Sequence, residues 1–176
     1  MTLAALLPNS HVVLTDLPEA REIVERNIAS TGLRNGSTLA FEELDWDDQL
    51  PAWLTRLQAK TRTDLVLASD CTYNADSRYL PPPLFLPLLF IPSASSFSTL
   101  THVSPALVHT LRRLADTNSQ ITVAIAMKMR HDSERVFFDL MHDAGFAETA
   151  LLDWALPGDV SLGEEKVYLH VYRLAE

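Results

Sequence analysis

A chain of 176 residues with 47% hydrophobic content falls in the one-domain range of about 100–200 residues and can bury a core, so residues 1–176 are expected to form a single domain. A net charge of -9 and a pI near 5.0 argue against an electrostatic grip on nucleic acid or anionic lipid, either of which needs a basic face. The single cysteine, Cys71, excludes an internal disulfide framework and any multi-cysteine zinc site, which points to the reducing cytoplasm and to no metal.

The opening MTLAALLPNS is apolar, but it carries no basic leader and is cut by Pro8, so no signal peptide is expected. The run His11 to Asp16 (HVVLTD) is short and rich in β-branched residues, and Pro18 follows at once. It reads as a strand feeding a helix. In that helix, PEAREIVERNIAST, Ala20, Ile23, Val24, Asn27 and Ile28 recur at helical spacing, and Gly32 is the expected stop. A second strand, Ser37 to Leu44, precedes a helix near Gln49 to Ala59 with an inner stripe of Leu50, Trp53, Leu54 and Leu57. A third strand, DLVLASD, ends at Asp70.

An irregular insert at about 81–104, PPPLFLPLLFIPSASSFSTLTHVS, interrupts this rhythm. Its apolar core is shorter than the ~20 residues of a membrane span and is broken by Pro87 and Pro92. Deleting it would join YNADSRYL to PALVHTLRRL, so a translated intron or a lineage-specific loop is the expectation. Beyond it, Ser104 and Pro105 are placed to cap and open the helix ALVHTLRRLADT, whose Leu107, Val108, Leu111 and Leu114 face inward. The strand ITVAIAMKM follows. Asp132 is then expected to cap SERVFFDLMHDA, with Val136, Phe137, Leu140, Met141 and Ala144 on its apolar face and Gly145 as its terminator. The last two runs, ETALLDWAL and KVYLHVYRL, have strand character and are separated by a loop containing Pro157, Gly158 and Gly163. Strand and helix in rotation, ending on two strands that can pair antiparallel, predict an α/β, Rossmann-like, doubly wound and mostly parallel sheet with an antiparallel edge.

Such sheets bind ligands at the carboxyl ends of their strands, which here carry Asp16, Asp45 with Trp46, Asp70 with Tyr73, and Lys128 with Arg130. An acid at the end of the second strand of such a fold can accept hydrogen bonds from both ribose hydroxyls of a nucleoside cofactor, and Asp16 suits that role. Its plainer role is to cap the helix that starts at Pro18, and the two are compatible. The Trp46 indole can cover one face of adenine while Asp45 or the adjacent backbone reads the amino group; a core tryptophan beside a loop is the alternative. Cys71 suits a small buried filler rather than a nucleophile. Lys128 and Arg130 can touch a substrate rim, although solvated charges after a strand are common.

The ordered set VVLTDLPEAREIVERNI, LDW, DLVLASDCTYN and AMKMR resembles the seven-strand class I S-adenosylmethionine-dependent methyltransferases of lysine methyltransferase family sixteen, over nearly the whole chain apart from the insert. The resemblance implies that Asp16 binds the ribose and that Trp46 lies by the adenine. It also implies that Asp70 and Tyr73, in the DxxY signature Asp70-Cys71-Thr72-Tyr73, serve the substrate side, with Ser69 next to the cofactor. Where the family usually carries glycine after LDW, this sequence has Asp47. The expected cofactor is S-adenosyl-L-methionine. The expected partner is a protein presenting a lysine, of the chaperone or translation-factor class.

Chemistry gives the tetrapeptide a task of its own. In-line displacement at a sulfonium methyl needs a neutral amine aimed at the carbon. Asp70 can orient the incoming ammonium and help its proton leave, and Tyr73 can wall the lysine channel. The family opens with a strand and a glycine-rich loop, whereas none of Gly32, Gly36, Gly145, Gly158 and Gly163 precedes Asp16. The first strand and that loop are therefore expected to be missing, with Met1 to Leu7 as the tail of the helix behind them and weakened donor binding as the result. Two other readings stay open on the residues: a noncatalytic interaction module derived from such an enzyme, and a small-amine N-methyltransferase. A nicotinamide-dependent oxidoreductase fits less well, because no proton relay of serine, tyrosine and lysine accompanies Asp16.

Overall fold

The computed structural model describes residues 2–33, 36–47, 49–69, 71, 103–128, 132–155 and 166–175. They fall into two compact units, 1–54 and 55–176.

The first unit contains α1 (Thr2–Leu6), β1 (His11–Asp16), α2 (Arg21–Ala29), β2 (Thr38–Glu43) and α3 (Ala52–Gln58), which continues past the boundary. β1 and β2 pair in parallel, in register from His11 opposite Thr38 to Asp16 opposite Glu43. Pro18 opens a short 3-10 turn, Pro18–Ala20, and its fixed φ lets the chain leave the strand and wind directly into α2. Gly32 was the expected stop, but α2 ends at Ala29 for a different reason. The hydroxyls of Ser30 and Thr31 both donate to the Asn27 carbonyl at 2.8 Å and satisfy an end-of-helix acceptor. The α2 stripe is also shallower than its spacing predicts, since Ile23 is 56% exposed and no α2 residue is buried.

The second unit holds β3 (Leu65–Ser69), α4 (Val103–Thr117), β4 (Thr122–Met127), α5 (Val136–Asp143), β5 (Phe146–Ala155) and β6 (Lys166–Leu174). Its sheet has the order β3-β4-β6-β5, with β3 parallel to β4 and both remaining pairings antiparallel. The expected parallel pairing is present in β3 and β4, and the expected antiparallel C-terminal edge in β6 and β5. Among the described residues, the strands form two ladders, β1-β2 and this four-stranded sheet.

Leu107, Val108, Leu111 and Leu114 of α4 are all buried, as their spacing predicts. The helix begins at Val103, so Ser104 lies in its first turn rather than at its cap. Asp132 likewise starts a 3-10 turn, Asp132–Arg135, that leads into α5. This changes the phase of α5: Phe137 and Met141 are fully buried, while Val136 is 46% exposed. Gly145, at φ +82°, closes α5 in the left-handed conformation that glycine adopts without cost, and its N–H donates to the His142 carbonyl at 2.8 Å. Arg112 of α4 donates to the Ala144 carbonyl at 3.0 Å, joining the two helices at that turn. Asn118 fastens the chain before β3 to the end of α4 by donating to the Thr63 carbonyl at 2.7 Å.

An aromatic row runs along one face of β6. His170 stacks on Tyr172, lies 4.6 Å from the Phe138 ring of α5, and hydrogen-bonds Glu148 at 2.6 Å. Burial raises the Tyr172 phenol above its ordinary value of 10.0, and the nearby Glu148 charge adds to the rise. A raised folded-state value means that the native state holds this proton more tightly than the unfolded chain. The resulting stability is complete below pH 10.0 and is lost as pH climbs above it. Denaturant midpoints should therefore fall as pH rises above about 10, and Tyr172→Phe should flatten that fall. A slope unchanged by the substitution would remove Tyr172 as its source.

Candidate functional site

In the first unit, the parallel pairing of β1 and β2 brings the carboxyl ends of two neighbouring strands to one rim. Asp16 is the last residue of β1 and is exposed; its Oδ1 accepts a hydrogen bond from the Leu17 N–H at 2.8 Å. That bond is to its own neighbour, and a second carboxylate oxygen stays available for a ligand hydroxyl. The Leu44 N–H donates to the Asp16 carbonyl at 3.1 Å, which ties the segment after β2 to the end of β1. Asp45 and Trp46 follow immediately. Asp45 Oδ1 accepts from the Asp47 N–H at 3.0 Å, a local turn built by a side chain. Asn9 is the one described non-glycine residue at positive φ, so Asp47 makes this turn without the left-handed conformation that would favour glycine. Trp46 is half-buried.

A second acid stands at the same rim. Glu43, opposite Asp16, is held by Arg21 at 2.9 Å, and Arg21 also pairs with Glu25 at 2.8 Å and lies 4.8 Å over the Phe41 ring. These carboxylates raise the Arg21 pKa, Glu43 being the larger influence. Glu43 is thereby paired, whereas Asp16 has no cationic partner among the described residues. Sequence reading missed this clamp. The i, i+4 spacing of Arg21 and Glu25 was visible, but the reach of Arg21 across to β2 was not. Trp53, expected on the inner stripe of α3, donates its indole N–H to the Glu43 carbonyl at 2.9 Å and so fixes the end of β2 as well.

In the second unit, Ser69 ends β3 and is exposed, and its carbonyl accepts a hydrogen bond from the Cys71 thiol at 3.1 Å. Cys71 is half-buried. Lys128 directly follows β4 and is half-buried as well. Asp70, Tyr73 and Arg130 lie outside the described residues, as does most of the insert at 81–104. Asp16, Asp45 and Trp46 are thus brought to one rim, and Ser69 ends a strand of the other sheet. No helix among the described residues is long and apolar enough to cross a membrane.

Residues 1–82 match the model of a family described as lysine methyltransferase. No curated protein matches the sequence. Among solved structures, one described by the conversion of a disulfide bond into a thioacetal group during echinomycin biosynthesis superposes with a TM-score of 0.56 at 16% identity, covering 98% of this chain and 69% of that one. A functionally unknown protein from Deinococcus radiodurans R1 gives a TM-score of 0.50 at 11% identity, covering 99% of this chain and 84% of its own. A Pyrococcus horikoshii protein, named in its structure as a proposed RNA methyltransferase, gives 0.47 at 14% identity, with 95% and 64% covered, which is too loose to carry an argument. At these identities the likeness shows the fold alone. The chain spans roughly two thirds of the length of the first of these structures, 69%, and of the third, 64%.

Proposed function

We propose that the chain, whose residues 1–82 match the model of a lysine methyltransferase family, takes part in S-adenosylmethionine-dependent methylation of a lysine side chain on a partner protein. The observation that carries this reading is the rim of β1 and β2. There, the exposed carboxylate of Asp16 ends β1, half-buried Trp46 follows the end of β2, and the neighbouring acid Glu43 is already paired with Arg21. That donor and acceptor set fits a nucleoside: Asp16 accepts from the ribose hydroxyls, Trp46 covers the adenine, and Asp45 or its backbone reads the exocyclic amine.

When bound, S-adenosylmethionine supplies a methyl group activated by its sulfonium. On the acceptor side, Asp70 attracts and orients the lysine ammonium, and desolvation lowers the amine pKa so that its proton passes to a carboxylate or water before transfer. Tyr73 lines the approach and holds the nitrogen on its line of attack. An acidic chain of net charge -9 attracts a basic, lysine-bearing protein surface and repels nucleic acid, which supports a protein substrate of the chaperone or translation-factor class handled in the cytoplasm.

Calorimetric titration of the full chain with S-adenosylmethionine tests the donor side. Asp16→Ala should weaken binding about 10- to 100-fold, the worth of charge-assisted hydrogen bonds to the ribose. Equal affinity for wild type and variant would refute the assignment of Asp16. Saturable donor binding without methyl incorporation into any protein of a whole-cell lysate would favour the noncatalytic interaction module.

A further inference from the structure

The outer edge of the four-stranded sheet is a strand built unlike a protected edge. β5 runs for ten residues, and after Phe146 every one of them is exposed. Leu151, Leu152 and Trp154 are 51%, 49% and 53% exposed. Solitary sheet edges are usually blunted by lysine, proline or an inward charge, because their unpaired N–H and C=O groups recruit another strand. From Ala150 to Ala155, ALLDWA, β5 contains no proline or lysine.

Its two acids do not protect it either. Within Ala150–Ala155 the one acid, Asp153, is paired with Lys166 of β6 at 2.8 Å, and Glu148, which hydrogen-bonds His170 at 2.6 Å, lies beyond the bulge. Among the described residues no strand pairs with this edge, which presents apolar side chains around a single acid already paired with Lys166. The bulge between Glu148 and Ala150, where the Thr149 hydroxyl donates to the Val171 carbonyl at 3.1 Å, interrupts the ladder and limits regular pairing to Ala150–Ala155.

We propose that β5 pairs antiparallel with β5 of a second copy of this chain, about a two-fold axis through Leu152, to give one continuous eight-stranded sheet. Directly opposed residues of an antiparallel pair share a face. An axis through Leu152 sets that leucine against its own counterpart, and it sets Ala150 against the counterpart of Trp154. The small residue makes room for the indole on both sides of the axis, as an isologous contact requires.

Sedimentation equilibrium on the full chain at about 100 µM, with hydrogen exchange followed at that concentration and at about 1 µM, tests this. The expected mass is twice 19.6 kDa, with amides in 150–155 protected at the higher concentration and exposed at the lower. Leu152→Lys, at a position half open to solvent, should return the mass to 19.6 kDa without moving the thermal midpoint by more than about 2 °C. A 19.6 kDa species at about 100 µM would overturn the proposal. So would a dimer lacking protection in 150–155, a dimer that survives Leu152→Lys, or assemblies larger than two.

Discussion

Asp70→Asn is expected to reduce methyl transfer by about 10²- to 10⁴-fold while leaving donor affinity within about two-fold of wild type, on the scale of a lost positioned acid or base. The substitution keeps the shape of the side chain and removes its charge, so the lysine ammonium loses the group that attracts and aligns it. Two readouts check this. Tritium transfer from labelled S-adenosylmethionine into a lysate gives the rate, and calorimetry with the donor gives the affinity. Equal losses of rate and of donor binding would move Asp70 to the donor side, and an unaffected rate would remove it from the reaction. Asp16→Ala has the opposite signature, so the pair separates donor from acceptor roles.

Phe137→Ala is expected to cost about 3–5 kcal/mol of stability, the range for deleting a buried aromatic side chain. Phe137 is fully buried at the start of α5 and meets Phe138 edge to face, with ring centroids 5.9 Å apart. The cavity would open where α5 lies against the sheet, beside the Phe138 and His170 contact. Val136→Ala, one position away and 46% exposed, should stay within about 0.5 kcal/mol. Chemical denaturation of the two variants measures both. Comparable losses would mean that the helix is rotated from the orientation described.

That contrast also shows what the sequence could reveal. Periodicity placed Val136 and Phe137 together on the apolar face of α5, because i, i+1 neighbours both fall within a broad stripe. The 3-10 turn ahead of the helix, invisible to periodicity, sets the phase and turns Val136 outward. The inner face of α4 was read correctly, though its start at Val103 was not: four leucine and valine positions at strict spacing on a long helix leave no second solution for the buried side. Both ends of α2 depended on local bonds. Pro18 announced the start through its fixed φ, whereas two hydroxyls, rather than Gly32, made the stop.

For the site, strand ends were legible because β-branched runs terminate in acids at Asp16, Asp45 and Ser69-Asp70. The mutual placement of Asp16, Asp45 and Trp46 followed from parallel order alone. The salt bridge from Arg21 to Glu43 did not, since its partners are 22 positions apart and are joined only by the docking of α2 on β2. Without that bridge, Glu43 would compete with Asp16 as the available acid.

The two kinds of pairing in the second sheet give the chain a kinetic order. Ala155 meets Lys166 across eleven positions, whereas Leu65 meets Thr122 only after 57. Closing the longer segment costs about 1.4 kcal/mol more chain entropy, at about 0.6 kcal/mol per doubling of length. The C-terminal hairpin therefore zips early, on a scale of microseconds, and supplies a template on which β4 and then β3 are laid down. During synthesis this hairpin emerges after β3 and β4, so the sheet is completed only once residues 146–174 have left the ribosome.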